Sequence, residues 1–94
     1  MRPTWSRIAA ADRLRVIEHL GRHNLRAALS IDDRMEAAVR RLAAFPESGR
    51  VGRVPTTREV VVAGTPFVIV YRLSEGEIRV LRVLHGAQRW PEGR

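Results

Sequence analysis

The spacing of apolar residues changes once along this chain, near residue 50, and divides it into a helical front and a stranded back. In the front, Ile8, Ala11, Leu14, Ile17 and Leu20 recur at steps of three. This predicts a helix with one buried face, entered at Ser6, a favourable N-cap, and closed near Gly21. Asp12 falls early in that helix, where a negative charge suits the positive end of the helix dipole. After Asn24 a second stripe follows: Ala28, Ile31, Met35, Ala38, Leu42 and Phe45 alternate steps of three and four. Asp33, Arg34, Glu36, Arg40 and Arg41 line its other side, with Glu36 and Arg40 spaced as an i,i+4 ion pair. Pro46 and the turn residues Glu47-Ser48-Gly49 end this helix. The short Gly21–Leu25 link folds the two into an antiparallel helical hairpin.

Beyond residue 50 the runs Val60–Ala63, Phe67–Tyr71 and Ile78–Leu84 are rich in β-branched and aromatic residues. Gly64-Thr65-Pro66 and Ser74-Glu75-Gly76-Glu77 separate them with hairpin turns, so the three strands are antiparallel. The Phe67–Tyr71 run suits a central strand covered on both faces. Residues 2–5 are expected to add a short first strand, with Pro3 at a sheet edge because proline cannot donate to a ladder. The predicted architecture is α+β: a single domain over residues 1–94, with a short N-terminal strand, a helical hairpin, and an antiparallel sheet of three to four strands. The hairpin covers one face of the sheet, and the other face is left as the natural functional surface.

Composition narrows the class. A chain of 94 residues that is 45% hydrophobic is one folded domain rather than a disordered segment. With no cysteine, neither disulfides nor thiolate zinc sites hold it together. The N-terminus lacks the apolar core of a signal peptide and no stretch is long enough to span a membrane, so a cytoplasmic location is expected. Seventeen basic residues, all arginine, against ten acidic ones give a formal charge of +7. The exclusive use of arginine partly reflects a GC-rich coding bias, but the charge itself suits a polyanion or an acidic protein partner. The arginines are spread along the chain, which disfavours a membrane-surface helix.

No Walker loop, GxGxxG or HExxH motif is present, and no cofactor or metal is implied. His19 and His23 stand four apart, but His23 falls beyond the helix end at Gly21, and both read as solvated surface residues. Arg50, Arg53 and Arg58 gather at the entrance to the first long strand, and Arg79 and Arg82 lie on the last. Strand alternation places Arg79 with His85 and Arg82 on the opposite face, so the two share a site only if a bulge intervenes. His85, at the end of the last strand, can act as general acid or base in phosphodiester cleavage, with arginines stabilising the developing charge. It can equally serve only to hold the returning tail. Trp90-Pro91 is expected to fold back on the domain, with a base-stacking role for Trp90 as the alternative.

The order of these features resembles the RelE/ParE superfamily of toxins. The residues that carry the resemblance are Trp5-Ser6, Ala10, Asp12, Ile17, Asn24, Ala27-Ala28, Leu42, Pro46, Gly49-Arg50, Gly52-Arg53, Thr57-Arg58-Glu59-Val60, Tyr71-Arg72 and the ending Leu84-His85-Gly86-Ala87-Gln88-Arg89-Trp90-Pro91. The resemblance implies a growth-inhibiting toxin of a type II toxin–antitoxin pair. A cognate antitoxin with an acidic C-terminal segment would neutralise it, and would link it indirectly to operator DNA. It also implies one of two targets, DNA gyrase or mRNA in the ribosomal A site. Arg58, His85 and Arg82 would be catalytic in a nuclease, while Arg50, Arg53, Arg79, Arg89 and Trp90 would contact target or nucleic acid. The chain lacks the lysines of the nuclease branch, and no tyrosine follows the last strand, where Gly86-Ala87-Gln88 stands. Its ending looks ParE-like, so gyrase poisoning is the first reading and ribosome-dependent cleavage the second. A basic binding module without toxicity is the third.

Overall fold

The computed structural model describes residues 2–91. In chain order the elements are β1 (Pro3–Trp5), α1 (Arg7–Gly21), α2 (Leu25–Ala44), β2 (Arg50–Val51), β3 (Thr57–Val61), β4 (Phe67–Ser74) and β5 (Glu77–His85). The sheet has five strands in the order β1-β5-β4-β3-β2. Strands β2 to β5 are antiparallel neighbours, whereas β1 runs parallel to β5, with Pro3 opposite Ile78 and Trp5 opposite Val80. The expected antiparallel sheet is therefore mixed, and a two-residue β2 is added at the far edge. Pro3 lies in an edge strand, as its missing N–H requires.

Both helix starts follow local chemistry. Ser6 Oγ accepts from the Ala9 N–H at 2.9 Å, and Asn24 Oδ1 accepts from the Ala27 N–H at 3.0 Å. The second helix buries Ala28, Met35, Val39 and Leu42, close to the expected stripe, although Phe45 at its end is 56% exposed under the Arg41 guanidinium. Glu36 accepts from Arg13 across the hairpin at 2.9 Å, and Arg13 also holds Asp32 at 2.7 Å. Charge thus ties the two helices together.

The first helix departs from expectation. Its regular stripe faces outward: Ile8 is 60% and Leu14 58% exposed, while Ala9 and Asp12 are buried. The face packed on the sheet is the less conspicuous one, carried by Ala9, Asp12 and Val16. Ala9 and Val16 join Met35, Val39, Val62, Ile69, Val80 and Val83 in the main core. A smaller cluster of Leu42, Tyr71 and Ile78 continues it. Burying a residue such as Leu42 or Ile69 fully contributes about 1.5–3 kcal/mol relative to exposure.

Alternation turns Val68, Val70 and Leu84 to the sheet face away from the helices, yet they too are buried. The tail after β5 crosses that side. Gly86 N–H donates to the Pro66 carbonyl, the Arg53 guanidinium donates to the Gln88 carbonyl, and Arg82 lies 5.4 Å over the Trp90 ring. Trp90 does fold back on the domain, and the face expected to be open is partly covered. No helix among the described residues is long and apolar enough to cross a membrane.

Candidate functional site

The end of β5 is organised by a bulge. Val70 pairs with Arg82 and Tyr71 with Val80, so Leu81 is an extra residue and the simple alternation between Arg79 and Arg82 is broken. β1 ends opposite Val80, and the start of α1 then takes over the bare edge of β5. Ser6 N–H donates to the Val80 carbonyl, Ser6 Oγ donates to the Leu81 carbonyl at 3.1 Å, and Asp12 Oδ2 accepts from the Val83 N–H at 3.0 Å. Arg82 closes the arrangement. Its Nε lies 2.7 Å from Asp12 Oδ2 and its second terminal nitrogen 3.2 Å from Oδ1, a bidentate pair with side chains 15% and 5% exposed. Asp12 is thus a buried partner of the sheet rather than a surface charge on the helix dipole.

The other arginines go elsewhere. Arg79 reaches Thr4 Oγ1 at the β1 edge, so even with the bulge it does not join Arg82. Arg58 donates to the carbonyls of Glu47 and Gly49, bracing the turn after α2. Tyr71 works on the same turn: its hydroxyl donates to the Pro46 carbonyl at 2.7 Å and accepts from the Gly49 N–H at 3.0 Å. Arg50 and Arg53 both bind Glu59, whose side chain is 1% exposed, at 3.2 and 3.1 Å, and the Arg53 N–H adds a third bond at 2.9 Å. Burial works to raise the Glu59 pKa, but the hydrogen bonds from Arg53 and Arg50 outweigh it and hold the carboxyl below its ordinary range. Arg89 is exposed on the tail, and the indole nitrogen of Trp90 is buried.

His85 is exposed at the end of β5, edge-on to Phe67 with ring centroids 5.9 Å apart. Its Nδ1 accepts from the Ala87 N–H at 3.3 Å. A neutral ring in that arrangement carries its proton on Nε2 and presents a donor rather than a base. The nominated nuclease groups Arg58, Arg82 and His85 therefore point to three separate sets of partners within the chain.

What the structure does assemble is a cleft of about 350 Å³ between the second half of α1 and the rim where β4 begins and β5 ends. Val16, Leu20, Phe67 and Val83 form its apolar floor, and Arg15, His19, His85 and Gln88 stand around it. His85 and Arg82 were legible from the sequence. Arg15 and His19 were not, because nothing in their spacing shows that α1 lies against this rim. Among the described residues no three His, Cys, Asp or Glu side chains gather as a metal site.

The same architecture occurs in a known family. Residues 4–90 match the model for the ParE toxin of type II toxin-antitoxin system, parDE. The chain belongs to the ParE toxin family. Its similarity to Toxin RelE2 of Caulobacter vibrioides is 33% identity over 84 residues, covering 89% of this chain and 93% of that one. With Y4kP of Sinorhizobium fredii it shares 44% over 66 residues, 70% of this chain and 68% of the other. A chain solved in the chromosomal ParDE TA system from P. aeruginosa superposes with a TM-score of 0.81 at 28% identity, covering 90% of this chain and 95% of its own. The ParE-family fold accounts for the mixed sheet and hairpin seen here, and the chain is the toxin of a type II toxin–antitoxin system.

Proposed function

We propose that this ParE-family toxin arrests growth by poisoning DNA gyrase and not by cutting mRNA. The observation that carries this reading is the dispersal of the nuclease candidates. Arg58 is spent on the Glu47 and Gly49 carbonyls, Arg82 is paired with Asp12, and His85 offers a donor edge. A-site cleavage needs a base, an acid and a phosphate clamp within reach of one phosphodiester. The tail further covers part of the sheet face where an RNA strand would lie.

The toxin is held inactive by an acidic antitoxin segment with an apolar side. A charge of +7 supports the acidic half of this statement, and the outward Ile8, Leu14, Leu25 and Leu29 of the helical hairpin, each at least half exposed, support the apolar half.

The test is purified toxin added to gyrase and, separately, to translating ribosomes. Trapped gyrase–DNA complexes with intact mRNA are expected. Undisturbed supercoiling at toxin excess, together with codon-dependent mRNA cuts on ribosomes, would replace this reading with the nuclease one.

A further inference from the structure

We infer that the cleft between α1 and the β4–β5 rim is the pocket in which the antitoxin anchors a bulky apolar side chain flanked by carboxylates. This rests on the reading that an acidic antitoxin neutralises the chain. The floor is apolar, and a volume of about 350 Å³ lies at the small end of ligand cavities, enough for one or two large side chains.

The rim sets the sign of what enters. Arg15 is 73% exposed, held only loosely at 3.4 Å by Asp12, and His19 and His85 add ring N–H donors. The acidic group in the lining, Asp12, is already committed to Arg82 and the Val83 N–H. A carboxylate-bearing peptide meets complementary charge there. A phosphate group fits less well: the Val83 N–H is already taken, and the Asp12 carboxylate beside it opposes a dianion.

The approach to the cleft has a matching pattern. Ile8, Ala11, Arg15 and His19 follow steps of three and four along α1, all exposed, and lead from the N-terminal end of the helix to the cleft. A partner segment laid along this stripe meets apolar contacts first and basic ones last. Its anchor is then the buried centre of the contact, where binding energy concentrates.

The experiment uses the full-length chain and the fluorescently labelled product of the reading frame adjoining its gene, with affinity read by anisotropy. Val16→Trp fills the floor, and Arg15→Glu reverses the rim charge at a solvated position. Circular dichroism and thermal midpoints establish that both remain folded. Each variant is expected to weaken binding at least about tenfold. Wild-type affinity in a folded Arg15→Glu variant and in Val16→Trp overturns the assignment of the cleft while leaving the toxin–antitoxin pairing intact. A neighbour product that fails to bind the wild-type chain overturns the pairing and the assignment together. A short single-stranded RNA that displaces the partner from wild type, but not from Arg15→Glu, assigns the cleft to nucleic acid instead.

Discussion

Asp12 on α1 and Arg82 on β5 form a bidentate ion pair across 70 residues of sequence, at 2.7 and 3.2 Å. The pair does more than neutralise two buried charges. Asp12 also accepts from the Val83 N–H, so one carboxylate fixes the helix to the sheet and satisfies an edge donor that β1 is too short to reach. Arg82 in turn stands over Trp90, which passes the restraint on to the tail.

Removing one member of the pair leaves the other poorly compensated. Asp12→Ala is expected to destabilise the fold by about 3–5 kcal/mol. Arg82→Met should cost less, because Asp12 keeps its bonds to the Val83 N–H and Arg15. Urea unfolding monitored by circular dichroism measures both. Equal stability of Asp12→Ala and wild type would mean the pair contributes nothing to holding α1 on the sheet.

Glu59 should make the fold sensitive to acid. Its carboxyl is held below the ordinary value of 4.5 by Arg53 and Arg50, against the upward push of burial. A folded pKa below the unfolded one gives stability that is fully present above the unfolded value and is lost as pH falls through the folded value. Stability is therefore expected to hold near neutral pH and to decline as pH drops below about 4.5, towards the lowered folded value. Glu59→Gln should be less stable at pH 7, and its difference from wild type should narrow in acid. Parallel pH profiles for the two proteins would remove Glu59 as the origin of the effect.

What the sequence showed and hid follows from the range of each interaction. Ser6 and Asn24 were legible as caps because each bonds a backbone N–H three residues on. The period change near residue 50 was legible because pleat and helix impose different spacings on neighbours. The buried face of α1 was not, since its contact residues are two small or medium apolar side chains and an aspartate whose burial makes sense only beside Arg82. The parallel pairing of β1 is likewise a tertiary event, and a two-residue β2 is too short to have a period. For the candidate site, sequence could place His85 at a strand end but could not show that Arg58 is occupied by two carbonyls, or that Arg15 and His19 face the same cleft.

The turn after α2 depends on one hydroxyl. Tyr71 is fully buried and its Oη both donates to the Pro46 carbonyl and accepts from the Gly49 N–H. Tyr71→Phe leaves two backbone groups without that partner and should cost about 1–3 kcal/mol. Gly49→Ala should also destabilise, because an added Cβ would stand 2.7 Å from the Tyr71 hydroxyl and 3.0 Å from the Glu59 carbonyl. Thermal unfolding decides both, and a midpoint unchanged in either variant would show that the turn is held by other contacts.

Toxicity should tolerate loss of the groups a nuclease could least spare. Arg58 braces a turn and His85 presents a donor edge, so neither is expected to carry out chemistry. Induced expression of His85→Ala should arrest growth as wild type does, with DNA-damage signalling rather than immediate loss of translation. Arg58→Ala should do the same once its protein level is matched, since removing its hydrogen bonds to two carbonyls weakens the fold by about 1 kcal/mol for each bond. Catalytic bases and phosphate clamps behave differently, because their removal lowers turnover by orders of magnitude in a protein that still folds. If either folded variant loses toxicity and translation no longer stops, the residue belongs to a cleavage site, and the ribosome is the target.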